Sequence, residues 1–139
     1  MVAYGFNKRF VGPIRTGEKA HTIRLPRKRH AYPGEQLQLY RGMRQKSCFK
    51  IRPDVTCTRV DIVSIATSSI GMEAIAINGI VLTQDEMEAL ALADGFRLRP
   101  DYSGKDALHA MGYFWRSIHT SQLSGVHVFE GVMIAWGQA

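Results

Sequence analysis

Three side chains, Lys19, Thr22 and Arg24, give this sequence its clearest potential for chemistry. If residues 20–24 are extended, Thr22 and Arg24 point to the same side of the strand, and Lys19 can swing toward them from the preceding turn. A hydroxyl, an ammonium and a guanidinium together suit an anionic or strongly hydrogen-bonding ligand, because Arg offers a planar fork of donors and Lys a mobile charge. The alternative is an ordinary solvated strand edge.

Positive charge is concentrated in the first part of the chain. Residues 1–60 hold fourteen Lys and Arg residues and three acidic residues, which gives a net charge of +11. Residues 61–139 hold four Lys and Arg residues and nine acidic residues, which gives a net charge of −5. A dense basic surface attracts polyanions by releasing condensed counterions, which favours a nucleic acid or nucleotide ligand. The alternative is a solvated basic face balanced by acidic residues folded against it.

Further basic and aromatic residues extend the candidate surface. The predicted nucleic-acid or ligand-binding residues are Lys19, Thr22, Arg24, Arg27, Lys28, Arg29, Tyr40, Arg41 and Arg44. Phosphate contacts from the basic residues would supply most of the affinity. The aromatic rings of Tyr32 and Tyr40 could stack on bases, as in single-strand binders, or could instead fill the interior of a barrel.

The sequence lacks the well-known enzyme motifs: it has no P-loop, GxGxxG, GxSxG or HExxH. Its five histidines are scattered without metal-ligand spacing, so we predict no metal and no cofactor. Cys48 and Cys57 flank a turn near Pro53, an arrangement compatible with a disulfide or a pair of metal ligands. In a cytosolic chain two reduced thiols are the favoured state.

A limited set of strands and helices must position these residues. Alternating and β-branched patterns predict strands at 2–6, 21–24, 36–40, 47–51, 55–65, 74–77, 80–82 and 126–136. Capping and periodicity signals predict helices at 9–16, from 83 to the Asp94–Gly95 stop, and from 103–106 onward, where Leu108, Met111 and Trp115 belong to an apolar stripe. Because the last two helices are grouped rather than alternating with strands, we predict an α+β fold whose mostly antiparallel sheet could curl into a small barrel.

The chain length fits one domain spanning residues 1–139. The N-terminus has no signal-peptide apolar region, and no apolar run approaches membrane-spanning length. We therefore expect a cytoplasmic protein without a membrane partner.

An ordered series of residues is shared with a known family. It comprises Phe10, Pro13, Ile14, Gly17, Lys19, Thr22, Ile23, Arg24, Pro33, Gly34, Glu35, Leu39 and Tyr40, followed by Gly42, Met43, Arg44, Cys48, Cys57, the segment 77–79 and the segment 92–96. The series covers most of the chain and resembles the ASCH family, relatives of the PUA RNA-binding domains. The likeness is greatest to bacterial and phage-type members that carry the Gly-Met-Arg segment.

The resemblance implies a PUA-like fold, a small β-barrel with about three flanking helices and a cleft near residues 17–24. The family is associated with RNA binding, which implies RNA, a nucleoside or a nucleotide as ligand. Some compact bacterial members hydrolyse the acetyl amide of N4-acetylcytidine, and their catalytic lysine and threonine match Lys19 and Thr22. Their catalytic acid is a glutamate shortly before the last helix, whose nearest counterpart here is Asp94.

On that resemblance, the hydroxyl of Thr22 attacks the amide carbonyl, Lys19 takes the proton, and Asp94 returns a proton to the leaving nitrogen of cytosine. Glu86 and Glu88 are the alternative acids. The expected function is a binding module for RNA or a nucleotide, and the alternative is the amidohydrolase. A ribonuclease is less favoured because no histidine pair or metal set is present, and a protein partner for the charged face is a further alternative.

Overall fold

The structure is a computed structural model that describes residues 1–96, 107–119 and 125–137. Its strands are β1 (Val2–Phe6), β2 (His21–Arg24), β3 (Gln36–Arg41), β4 (Phe49–Lys50), β5 (Val55–Thr56), β6 (Arg59–Ser68), β7 (Gly71–Ile77), β8 (Ile80–Val81) and β9 (His127–Ala135). Its α-helices are α1 (Val11–Thr16), which follows a 3-10 turn at Lys8–Phe10, α2 (Gln84–Ala93) and α3 (Ala107–His119). The strands form two sheets in which antiparallel pairing predominates.

The predicted α+β class is confirmed, with three α-helices and two sheets in the described part of the chain. The predicted start of the last helix at 103–106 lies outside the described residues. The strand predicted at 55–65 is divided at Cys57 and Thr58, whose amides bond out of the strand to carbonyls of Glu35 and Ala135. No α-helix in the described ranges has both the length and the apolar character needed to cross a membrane.

The chain divides into two compact units. Unit 1 comprises Met1–Val60 and Val132–Ala139, and unit 2 comprises Asp61–Gly131. The segment that closes unit 1 carries no charged side chain, so unit 1 has the net charge of +11 and unit 2 the net charge of −5. The uneven charge along the sequence is therefore a difference between two compact parts of the molecule.

In unit 1, β1 pairs in parallel with β3, with Tyr4 opposite Leu39 and Phe6 opposite Arg41. A parallel pair needs a long crossover, and the segment between the strands supplies it with α1 and β2. β3 also pairs antiparallel with β4 and β5. Alternate side chains of β1 and β3 are buried, and those of Tyr4, Leu37 and Leu39 have no exposed surface.

In unit 2, β6 and β7 pair antiparallel, and a tight turn at Asn78–Gly79 joins β7 to β8. Both turn residues have positive φ, 51° and 83°, as the predicted hairpin signal requires. The predicted capping box of α2 is also present, because Thr83 and Glu86 each accept a hydrogen bond from the other's backbone amide. Local sequence signals therefore define much of this unit.

Helix α3 packs closely on β7 at Gly112. A Cβ atom at this position would lie 2.7 Å from the backbone nitrogen of Met72 and 3.1 Å from the carbonyl carbon of Gly71. Backbone atoms held in a strand cannot move aside as a flexible side chain can. The absence of a side chain at Gly112 is therefore a condition for the close contact between helix and strand.

We predict that Gly112→Ala lowers the free energy of unfolding by about 1–3 kcal/mol, the usual cost of overpacking, as measured by urea denaturation. The control is Gly12→Ala in α1, where an added Cβ would meet no heavy atom within 4 Å. Because Ala favours helix over Gly by about 1 kcal/mol, this control should be neutral or slightly stabilising. Wild-type stability of Gly112→Ala would contradict the close packing of α3 on β7.

Candidate functional site

Strand β2 brings Thr22 and Arg24 together. It pairs antiparallel with the end of β9, with Thr22 opposite Ile134. The Nε atom of Arg24 donates a hydrogen bond of 2.9 Å to Oγ1 of Thr22, so both side chains lie on the same side of the strand. Thr22 is buried and Arg24 is half-buried.

Two aromatic rings and a carbonyl fix the guanidinium of Arg24. Its Nη2 atom donates to the carbonyl oxygen of Gly5 at 2.5 Å. The central guanidinium carbon lies 4.9 Å from the ring centroid of Phe6 and 5.3 Å from that of Tyr4. Cation–π contacts of this length are attractive. The charge of Arg24 is therefore held in place before any ligand arrives.

Lys19 is buried, with 2% of its surface exposed. Helix α1 ends at Gly17, whose φ of 85° turns the chain, and the amide of Lys19 then bonds the carbonyl of Pro13 at 3.0 Å. The ammonium lies 4.6 Å from the ring centroid of Phe10. Lysine is almost never this buried without a specific reason, which makes the position a candidate functional site.

Trp136 adds a hydrogen-bond donor to the same neighbourhood. Its backbone amide bonds the carbonyl of Ala20 at 2.9 Å, and its indole packs edge-on against Phe6 with ring centroids 6.1 Å apart. The indole Nε1 is buried and has no hydrogen-bond partner among the described residues. Buried indole N–H groups are normally bonded, so this donor lacks, within the described part of the chain, the partner that such a group usually has.

We call Lys19, Thr22, Arg24 and Trp136, with the rings of Phe6 and Phe10, the β2 site. Sequence reasoning found its polar residues but missed Trp136, which it treated only as the end of the last strand. A tryptophan directly after a strand and directly before Gly137 was the available signal. A Cβ at Gly137 would lie 2.6 Å from the Cβ of Ala20, so the end of β9 must pass close to the turn that carries Lys19.

The loop after β2 is held to the protein rather than freely solvated. Arg27 donates to the carbonyls of Arg29 and Ala3, and its guanidinium lies 4.4 Å from the ring of Tyr4. Arg29 forms an ion pair with Glu35. Lys28 is exposed, so of the three predicted cations it is the one that extends most freely into solvent.

Tyr4 anchors this loop through its hydroxyl group. Nε2 of His30 lies 2.9 Å from the carbonyl oxygen of Leu25, so it carries the proton, and Nδ1 accepts a hydrogen bond of 3.0 Å from the hydroxyl of Tyr4. The same hydroxyl accepts from the amide of Ala31 at 3.1 Å. Burial lowers the pKa of His30, and the nearby charges of Arg27 and Arg24 lower it further, although the bond to Leu25 opposes them.

The remaining predicted binding residues lie at the end of β3. Tyr40 is half-buried, with the ammonium of Lys50 5.9 Å from its ring centroid. Arg41 lines an open cleft of about 370 Å³, and Arg44 is exposed in the turn that follows Gly42. The structure thus places the predicted residues in two groups, one around β2 and one at the end of β3.

Asp94 is buried in unit 2, where it is the C-terminal cap of α2. The amide of Phe96 bonds the carbonyl of Ala91 across Gly95, whose φ is 97°, as predicted for a helix stop. Lys19 and Thr22 belong to unit 1. The shared catalytic role of Asp94 with these two residues therefore stays a prediction.

The alternative acids have structural contacts of their own. Glu86 belongs to the capping box at Thr83, which lowers its pKa through hydrogen bonds from that residue. The two carboxylate oxygens of Glu88 accept from the amides of Ala107 and Leu108 at 2.9 and 3.0 Å. Both carboxylates therefore accept hydrogen bonds from backbone amides, which gives each a structural role.

Cys48 is exposed, Cys57 is buried, and neither forms a disulfide. Burial raises the pKa of the Cys57 thiol. Within the described ranges, no group of three or more His, Cys, Asp and Glu side chains is placed to hold a metal ion. Cys57 is therefore a buried residue in the interior of unit 1.

No protein-family model matches the chain, and neither do curated proteins or solved structures at a significant level of similarity. The resemblance to the ASCH family thus rests on the residues of the chain itself.

We predict that the stability of the protein falls as the pH decreases through the range below 6.5, the ordinary pKa of histidine. Because the folded state lowers the pKa of His30, the unfolded chain binds the proton first, and the contribution of neutral His30 is complete only above pH 6.5. Urea denaturation between pH 7.5 and pH 5 measures the effect. His30→Asn, whose side-chain carbonyl can still accept from Tyr4, should weaken this pH dependence.

An unchanged pH dependence in His30→Asn would show that His30 does not carry the acid sensitivity.

Proposed function

We propose that the protein binds single-stranded RNA or a nucleotide through the β2 site. The observation that carries the proposal is a set of positioned donors: the guanidinium of Arg24, the ammonium of Lys19 and the indole N–H of Trp136, which has no partner among the residues that the structure describes. All three belong to unit 1. A ligand that matches them must be anionic or rich in hydrogen-bond acceptors, as phosphate groups and pyrimidine carbonyls are.

The rings of Phe6 and Phe10 are buried against these donors. Phe6 contacts both Arg24 and the indole of Trp136, while Phe10 lies against Lys19. The rings therefore hold the cations in place, which favours a ligand that matches donors of fixed position, such as a phosphate group or a pyrimidine carbonyl.

The positive charge of unit 1 also supports the binding of a nucleic acid. Its net charge of +11 includes three acidic residues, and Glu35 and Asp54 among them are paired with cations of the same unit. Glu35 binds Arg29 and the N-terminal amine of Met1, and Asp54 binds Lys50. The excess positive charge would attract the phosphate backbone, and the β2 site would then select the bound nucleotide.

Membership of the ASCH family belongs to this proposal. The ordered series of residues that includes Gly17, Lys19, Thr22 and Arg24 supports it, and so does the α+β architecture. The small PUA-like β-barrel is part of the same proposal.

A second candidate is the amidohydrolase, and the burial of Lys19 and Thr22 favours it. Oγ1 of Thr22 accepts a hydrogen bond from the cationic Arg24, which stabilises negative charge on that oxygen and leaves the hydroxyl proton to be removed. Thr22 would attack the acetyl carbonyl while Lys19, in its neutral amine form, takes the hydroxyl proton. A general acid, the role that the resemblance gives to Asp94, would protonate the departing cytosine nitrogen, and water would then release acetate from the Thr22 ester.

We predict that Trp136→Phe weakens nucleotide binding by about 2- to 15-fold, the value of one hydrogen bond, in a fluorescence-anisotropy titration with labelled single-stranded RNA. The phenyl ring retains aromatic packing against Phe6 but removes the N–H group. A buried donor without a partner destabilises the folded protein. Removal of the N–H group should therefore offset part of the stability that the unliganded variant loses with its smaller ring. An unchanged affinity would contradict the role of the indole.

The matched control for charge is Lys28→Ala. Removal of an exposed cation that contacts phosphate should reduce the slope of log K against log salt by about 1, whereas Trp136→Phe should leave that slope unchanged. Failure of the wild-type protein to bind any RNA or nucleotide at low salt would overturn the proposed function.

For the amidohydrolase, we predict that the protein releases cytidine from N4-acetylcytidine, as followed by liquid chromatography. Thr22→Val and Lys19→Met, which keep the approximate volume of each side chain, should abolish the activity, and Lys28→Ala should retain it. An acetylated protein in the intact mass spectrum would identify the ester intermediate. Activity that is indifferent to Lys19 would eliminate this mechanism.

A further inference from the structure

A second candidate binding site lies at the end of β3. The open cleft of about 370 Å³ is lined by Lys8, Val11, Arg41, Ser47 and Phe49, all of unit 1. Its volume lies near the lower end of the range of about 300–1,000 Å³ for small-molecule sites. A cleft of this size and openness suits one unit of a longer ligand.

Phe49 forms a positioned aromatic surface in this cleft. Its side chain is exposed to 42%, and its backbone pairs with that of Arg41 across β3 and β4. The guanidinium of Arg15 lies 5.5 Å from the ring centroid and is itself fixed by a hydrogen bond of 3.0 Å from Nε to the carbonyl of Ile51. The ring is therefore held in place while much of its surface remains accessible.

Two cations border the same cleft. Lys8 is exposed and Arg41 is half-buried, and no carboxylate in the described part of the chain pairs with either of them. With Val11 and Phe49, they combine an apolar surface with two positive charges. Base stacking needs the apolar surface, and phosphate binding needs the positive charges.

We propose that this cleft, which we call the Phe49 cleft, binds one further nucleotide of a single-stranded RNA. The base stacks on Phe49, and the adjoining phosphate lies between Lys8 and Arg41. The inference rests on the proposed RNA binding at the β2 site and extends it to a second position. The two sites belong to neighbouring strands, because Phe6 of the β2 site is the register partner of Arg41 across β1 and β3.

The test compares the affinities of a mononucleotide and of an RNA octamer by fluorescence anisotropy. Phe49→Leu keeps an apolar side chain but removes the aromatic face, so it should weaken octamer binding by about 5-fold to 150-fold, the value of one stacked base. Its affinity for the mononucleotide, which occupies the β2 site, should be unchanged. Phe49→Tyr retains the ring and should retain octamer binding.

Charge variants provide an independent readout. Lys8→Met and Arg41→Met should each reduce the salt slope of octamer binding by about 1. Lys46→Met is the matched control, because Lys46 is an exposed cation that does not line the cleft. If Lys46→Met reduced the salt slope as much as Lys8→Met and Arg41→Met do, the attraction would be unspecific. That result would overturn the proposed position of the phosphate between Lys8 and Arg41.

The outcomes separate this inference from the function on which it rests. Wild-type octamer affinity in Phe49→Leu, together with weakened binding in Trp136→Phe, would overturn the Phe49 cleft and leave RNA binding at the β2 site intact. Absence of any RNA binding by the wild-type protein would overturn both.

Discussion

The basic surface of unit 1 depends on one buried side chain, Tyr4. Its position in β1 is fixed by the parallel pairing with β3, and no part of it is exposed. Its hydroxyl donates to His30 and accepts from the amide of Ala31, which ties down the loop that follows β2. Its ring lies within 5.3 Å of the guanidinium carbons of Arg24 and Arg27. Tyr4 thus holds the loop together with the charges of Arg24 and Arg27.

This arrangement places like charges close together and has an electrostatic cost. Arg24 and Arg27 contact the same ring, and both lower the pKa of His30, so a third positive charge is disfavoured there. The cation–π contacts offset part of the repulsion, and the pairing of Arg29 with Glu35 removes a further part. A bound polyanion would relieve what remains, so a ligand of this kind would also stabilise the folded protein.

Local signals in the sequence predicted the elements that carry the β2 site. The alternation of residues 21–24 and the glycine stop at Gly17 follow from short-range backbone preferences, and the structure has both. The parallel pairing of β1 with β3 could not be predicted in the same way, because it joins strands separated by a helix and another strand. The donor of Trp136 was missed for a related reason: its place beside Ala20 depends on the register of β9 against β2.

The cations of unit 1 differ in how much of their conformational freedom is already lost, and in the proposed RNA binding this difference would give them different tasks. Arg24 is held by a carbonyl, a hydroxyl and two rings, and Lys19 is buried, so a ligand bound there would meet groups of fixed geometry and would be selected by its shape. Lys28 and Lys8 are exposed, so they would attract phosphate with little geometric preference. Selectivity should therefore arise at the β2 site, whereas most of the salt-dependent affinity should arise from the exposed lysines.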